Sequence, residues 1–170
     1  MSFSVAIFAI WVTQAHAETL ENTLYLDLKD GRVVIEMRPD LAPKHVERIK
    51  KLVRRGFYDG HQFHRVIDGF MAQTGDPTGT GRGGSGKNLP AEFTPTPFER
   101  GVVGMARSAS PNSADSQFFI MFQETPHLNG QYTVWGKVVK GMEHVDKITR
   151  GQPPISPDRI IKMQVAADAQ

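Results

Sequence analysis

Apolar residues alternate early in the chain: Leu24, Leu26 and Leu28 are separated by Tyr25 and Asp27, then Val33-Val34-Ile35-Glu36-Met37 follows beyond Asp30-Gly31. A period of two is that of a half-buried strand. The Asp-Gly pair between the runs predicts a hairpin turn, because both residues tolerate positive φ. Over 39–56 the period lengthens. Val46, Ile49 and Val53 recur at helical spacing, Lys44, Arg48, Lys51 and Arg55 face elsewhere, and Pro43 and Gly56 bracket the segment. A second, short helix is expected over 142–149. Between and after them come short apolar runs at 63–66, 69–73, 102–106, 118–121, 133–138 and 160–165, separated by turn residues. Many short strands with few helices mean a barrel or a sandwich.

At 170 residues, with neither repeat nor linker, the chain holds one domain with a substantial core. Hydrophobic residues at 39% and charged residues at 22% are those of a globular protein, and a net charge of +2 gives no reason to expect a nucleic-acid partner. The basic positions of the first helix therefore read as a solvated face. Absence of cysteine excludes disulfides and thiolate metal sites. Residues 1–17 contain no Asp, Glu, Lys or Arg; an apolar run from Val5 to Val12 leads to Ala15-His16-Ala17. That run is shorter than the roughly 20 residues needed to span a bilayer, and small-x-small suits signal peptidase. The expectation is a signal cleaved after Ala17, leaving residues 18–170 as a periplasmic or secreted domain without stable membrane association. The basic n-region of a signal is missing, and without signal function the protein stays in the cytoplasm.

Two patterns imitate chemistry. Gly79-Thr80-Gly81-Arg82-Gly83-Gly84 matches G-x-G-x-x-G, and Gly81 to Lys87 matches most of a phosphate loop. Such a loop must open a helix, whereas Asn88-Leu89-Pro90 follows here. His61 and His64 have H-x-x-H spacing, but on a strand that offset puts them on opposite faces, and no nearby carboxylate completes a set. Ser85, Ser108 and Ser116 lack a nucleophile-elbow context. No metal and no cofactor are expected.

The most specific stretch is 63–76, Phe-His-Arg-Val-Ile-Asp-Gly-Phe-Met-Ala-Gln-Thr-Gly-Asp, followed about forty residues later by Ser116-Gln117-Phe118-Phe119-Ile120. Together these resemble the signature of the cyclophilins, peptidyl-prolyl cis/trans isomerases, and the resemblance runs from about Asn22 to about Val165. It implies a mainly β fold, a closed eight-stranded antiparallel β-barrel capped by two α-helices. It also implies rotation of X-Pro bonds in unfolded or newly exported proteins, assisting folding.

That reaction needs no bond breaking. The enzyme must favour the twisted amide, whose nitrogen lone pair is localised, and a permanently charged guanidinium with fixed donors suits this task. By resemblance Arg65 is that catalytic group. Phe70, Met71, Phe119 and Leu128 would surround the proline ring, and Gln73 would bind the substrate backbone and hold Arg65. Ala106 and Arg107 would offer backbone groups, and His64, Gln117 and Tyr132 would line the groove. Taken singly, Phe70, Met71 and Phe119 read as barrel core and Arg65 as a snorkelling surface residue; their joint occurrence in family order outweighs this. Departures are Asp68 in place of a common proline, a longer segment at 105–111, and His127 where many members carry tryptophan. These features resemble bacterial members, and they lead to an expectation of weak cyclosporin binding. Partners are proline-containing peptides and unfolded clients; a groove that only binds them, without useful turnover, is the rival reading. A monomer is the default.

Overall fold

A computed structural model describes residues 14–169. Its eight strands are β1 (Thr23–Leu28), β2 (Gly31–Met37), β3 (Arg65–Ile67), β4 (Met71–Thr74), β5 (Val102–Met105), β6 (Phe118–Met121), β7 (Val134–Lys140) and β8 (Lys162–Val165). They form one antiparallel sheet in the order β3-β4-β6-β5-β7-β2-β1-β8. The helices are α1 (14–21), α2 (Pro43–Arg54) and the single-turn α3 (Met142–Val145).

The expected closed barrel is an open half-barrel. Edge strands β3 and β8 share no ladder; among the described residues the chain beside them is joined by the isolated bridges Gln62–Arg159 and Val66–Gly151, with Gly60 N–H donating to Ile160 O, Ile160 N–H to His61 O and Phe63 N–H to Asp158 O. Pro153, Pro154 and Pro157 lead into β8, and none has an N–H with which to extend a ladder. The first hairpin also differs from expectation. Leu28 pairs with Gly31, so Lys29-Asp30 form the loop and Gly31 (φ 145°) opens β2. A side chain at Gly31 would collide with His144, so close approach of α3 as well as backbone freedom demands glycine there.

Helix α2 begins four residues later than its sequence period suggests. Its N-cap Ala42 has no capping side chain. Glu92 supplies the cap from a distant loop, accepting from Lys44 N–H (3.1 Å) and His45 N–H (3.0 Å). At the other end Gly56 N–H donates to Val53 O and Phe57 N–H to Leu52 O, a Schellman stop made possible by Gly56 at φ 68°. The helix buries Val46, Ile49, Leu52 and Val53 in the main core with Leu24, Leu26, Val33, Ile35, Phe118 and Trp135. Helix α3 ends at Val145 rather than 149: Lys147 and Ile148 N–H turn to carbonyls three residues back, and Asp158 accepts from Thr149 N–H at 2.7 Å in place of a helical carbonyl.

A second, smaller apolar cluster lies on the other face of the sheet: Met71, Phe98, Val102, Phe119, Met121, Leu128 and Val134. Strands β4 and β6 are therefore covered on both sides, with Ala72, Phe118 and Ile120 facing the main core and Met71, Phe119 and Met121 facing the small one. No described helix is long and apolar enough to cross a membrane. The apolar run of the expected signal lies outside the described residues; its last residues, 14–17, are exposed and helical within α1.

Candidate functional site

Strand register builds the site. Arg65 of β3 stands opposite Gln73 of β4, Gln73 opposite Phe119 of β6, and Phe119 opposite Gly104 of β5. Directly opposed residues of antiparallel strands project from one face, so this row runs guanidinium, amide, ring, gap. The gap is needed: a Cβ on Gly104 would sit 2.6 Å from Phe98 and 2.6 Å from Phe119, whose rings stack with centroids 5.7 Å apart.

Above the row opens a cavity of about 590 Å³, lined by His64, Arg65, Phe70, Met71, Gln73, Ala106, Arg107, Phe119, Leu128 and Tyr132, together with Gly79, Thr80, Gly81, Gln152 and Pro153. Phe70, Met71, Phe119 and Leu128 belong to or pack on the small cluster, not the main core, so they form a floor open to solvent. A concave apolar floor suits a pyrrolidine ring, which has no polar handle.

Arg65 is half-buried and donates from Nη1 to Gln73 Oε1 at 3.3 Å. Among the described residues it has no carboxylate within ion-pair distance, leaving an uncompensated cation beside an apolar floor. Gln73 Nε2 donates in turn to Gln117 Oε1 (2.9 Å), and Gln117 Nε2 donates to Gly81 O (3.0 Å) and Gly83 O (2.8 Å). One chain of side-chain amides thus joins Arg65 to the glycine-rich loop. His64 is buried in the cavity wall, where desolvation holds its pKa below the usual imidazole range. Both ring nitrogens are shut off from solvent, and neither has a hydrogen-bond partner of good geometry among the described residues.

The glycine loop cannot act as a phosphate cradle, because its amides are already occupied. Asp76 Oδ2 accepts from Gly81 N–H (2.6 Å) and Gly83 N–H (3.1 Å), and Asp115 Oδ2 accepts from Gly86 N–H (2.8 Å) and Lys87 N–H (3.3 Å). Burial opposes the charged form of Asp76, yet these amides and Thr78 outweigh it and lower its pKa. His61 turns to Phe57 and Tyr58, with ring centroids 4.9 and 5.8 Å away.

Ten of the twelve residues singled out from sequence therefore line one cavity. Gln117 lies one layer behind, bonded to Gln73, and His127 is exposed at the rim, 6.2 Å from the Phe70 ring. Part of one assignment changes. Ala106 N–H already donates to Gln117 O, so its carbonyl is the group left for a peptide. The Arg107 side chain is engaged too, donating to Gln131 O at 2.7 Å and lying 4.5 Å over Tyr132. Sequence reasoning missed Asp76, which stands just before the glycine run, and Asp115, which reaches it from 29 residues beyond Gly86. It also missed Gln152 and Pro153, which come from a distant segment.

Comparison with known proteins decides the family: the model for "Cyclophilin type peptidyl-prolyl cis-trans isomerase/CLD" matches residues 23–165. The chain belongs to the cyclophilin-type peptidyl-prolyl isomerases. It is 57% identical over 176 residues to a "Probable peptidyl-prolyl cis-trans isomerase" of Brucella suis, covering 94% of this chain and 90% of that one. It is 44% identical over 132 residues to "Peptidyl-prolyl cis-trans isomerase B" of Bacillus subtilis, covering 76% of this chain and 92% of the relative. A cyclophilin crystal structure from Hirschia baltica superposes with a TM-score of 0.81 at 30% identity, covering 88% of this chain and 75% of the other. One from Cryptosporidium parvum, crystallised in the presence of the dipeptide Ala-Pro, gives 0.78 at 30% identity, covering 84% and 98%. This cyclophilin is a prolyl cis/trans isomerase, as its named relatives are.

Proposed function

We infer that Arg65 is the catalytic group of this isomerase and that its substrates are proline-containing segments of unfolded proteins, including newly exported ones. One observation carries the reading: an uncompensated guanidinium, tethered through Gln73, beside the apolar floor of an open cavity. The peptide bond resists rotation by about 18–20 kcal/mol because the nitrogen lone pair is shared with the carbonyl. At the twisted state the pair localises on nitrogen, and guanidinium donors aimed there bind that state better than either planar isomer. Phe70, Met71, Phe119 and Leu128 hold the ring while the rest of the amide turns. His64, Gln73 and the Ala106 carbonyl receive the flanking backbone.

The Ala-Pro dipeptide named with the Cryptosporidium parvum structure supports a proline-containing ligand in this cavity. A binding module without turnover would need the floor but not the Arg65–Gln73 arrangement. Export rests on the apolar run and Ala15-His16-Ala17, with cleavage after Ala17 and a monomeric periplasmic or secreted product. No metal or cofactor enters the reaction. A protease-coupled assay on a short X-Pro peptide tests the reading: the protein accelerates the slow cis-to-trans phase in proportion to its concentration. A rate equal to the uncatalysed one rejects it.

A further inference from the structure

We propose that a groove remote from the cavity, between α2 and the segment 85–90, binds an acidic, extended polypeptide segment. The groove encloses about 520 Å³ and has one basic wall from α2. Lys44, Arg48, Lys51 and Arg55 recur at three- and four-residue steps, hence on one stripe of the helix. Lys87 faces them from the other wall, and Glu47 is the one carboxylate in the lining.

The two basic edges of α2 differ in how their charge is met. Lys50 and Arg54, on the edge near α1, are paired with Glu21 and Asp168 at 2.8 to 3.4 Å. On the groove edge Arg48 alone is matched, by Asp115 at 3.5 Å. Lys44, Lys51, Arg55 and Lys87 are exposed and have no ion-pair partner among the described residues. Four uncompensated cations around one depression select an anionic occupant.

The groove is also preformed. Arg48 donates to Lys87 O at 2.6 Å and to Ser85 Oγ at 3.3 Å, tying the two walls together, and Leu89 N–H is anchored on Ala114 O. A fixed groove spares the occupant the cost of ordering it. Its floor is apolar, made by Leu52, Phe57, Leu89 and Pro90. Positions 44 to 55 of a helix span about 16 Å, the length of about five extended residues. An occupant with carboxylates at its edges and an apolar side chain between them matches charge, floor and length together.

Single-stranded nucleic acid fits less well. It needs free aromatic faces for stacking, and the floor's one ring, Phe57, packs edgewise on Tyr58 and His61 at 5.2 and 4.9 Å. Nor does a concave groove suit a membrane surface.

The test uses the full protein and a fluorescent peptide in which glutamates flank a leucine, read by anisotropy. A matched peptide with glutamine for glutamate and a labelled single-stranded RNA serve as controls. Measurements are made at about 0.02 M salt and repeated at about 0.15 M, where the Debye length is about 8 Å. Saturable binding of the acidic peptide is expected, weakened by salt and absent for the glutamine peptide. Reversing two exposed charges, Lys51→Glu with Lys87→Glu, should weaken it by about tenfold or more. The same variant should turn over an uncharged X-Pro peptide at the normal rate, since neither side chain reaches the cavity. No saturable binding, equal binding by the reversed variant, or tighter binding of the RNA overturns the proposal.

Discussion

Gly104→Ala probes how the sheet shapes the cavity. The backbone at Gly104 does not require glycine by its φ, so the substitution acts through space alone. The added methyl would lie 2.6 Å from the edges of both Phe98 and Phe119, about 0.8 Å inside the 3.4 Å of ordinary contact. Overpacking of this kind costs about 1–3 kcal/mol when neither neighbour can move. Here the neighbours are unequal. Phe98 is fully enclosed, whereas Phe119 borders the open cavity. Phe119 should therefore yield into the cavity, which keeps the stability loss near 1 kcal/mol, or about 2–4 °C in Tm for a chain of this size. The strain then appears in catalysis, because a ring shifted by most of an ångström displaces the proline from Arg65. A loss of kcat/KM of about tenfold, or 1.4 kcal/mol, is expected. Thermal unfolding and the protease-coupled assay on the same preparation read both quantities. A variant with unchanged Tm and unchanged kcat/KM refutes the packing argument; a large stability loss with full activity shows that Phe98 moved instead.

Other expectations follow from the same geometry. Asp76→Asn should destabilise the protein by about 1–3 kcal/mol, because an amide cannot accept all the hydrogen bonds the carboxylate takes. The folded pKa of Asp76 is lowered, so its contribution is complete above the unfolded value of about 3.9 and fades as pH falls through the folded one. Urea titrations at neutral pH and near pH 3 should accordingly show a smaller pH dependence in the variant, and an identical one would contradict this. Intact mass of protein from the native cell should correspond to a chain beginning at Glu18; a cytoplasmic product retaining residues 1–17 defeats the export proposal. His127→Trp should tighten cyclosporin by about 1–2 kcal/mol through a larger ring and an indole donor at the rim, with turnover unaffected. Equal affinities in an inhibitor titration would remove His127 as the determinant.

Local patterns carried much of the architecture. The alternation in β1 and β2, the proline and glycine bracketing α2, and the short apolar runs each reappear as elements, because burial on one face or two leaves a period in the chain. What the chain could not display was anything settled by distant partners. The start of α2 depends on Glu92, the end of α3 on Asp158, and the first turn on His144 pressing against Gly31. Openness of the barrel depends on the proline-rich stretch after Gly151, which leaves β3 and β8 without a shared ladder. In the site, two motifs supplied six of the ten residues found in one cavity, and the family resemblance placed Ala106, Arg107, Leu128 and Tyr132. The filled amides of the glycine loop were invisible because Asp76 and Asp115 reach it from opposite sides. Reading Phe119 as floor rather than core required knowing that β6 is covered on both faces by different clusters.

The central claim is that Arg65 stabilises the twisted amide, and kcat/KM of Arg65→Ala on a short X-Pro peptide tests it most directly. Arg65 is half-buried and among the described residues has a single side-chain bond, to Gln73, so the fold should survive with an unchanged circular dichroism spectrum. The account predicts a fall of at least about tenfold, or 1.4 kcal/mol of transition-state stabilisation. A correctly folded Arg65→Ala protein that turns over substrate at the normal rate would contradict it.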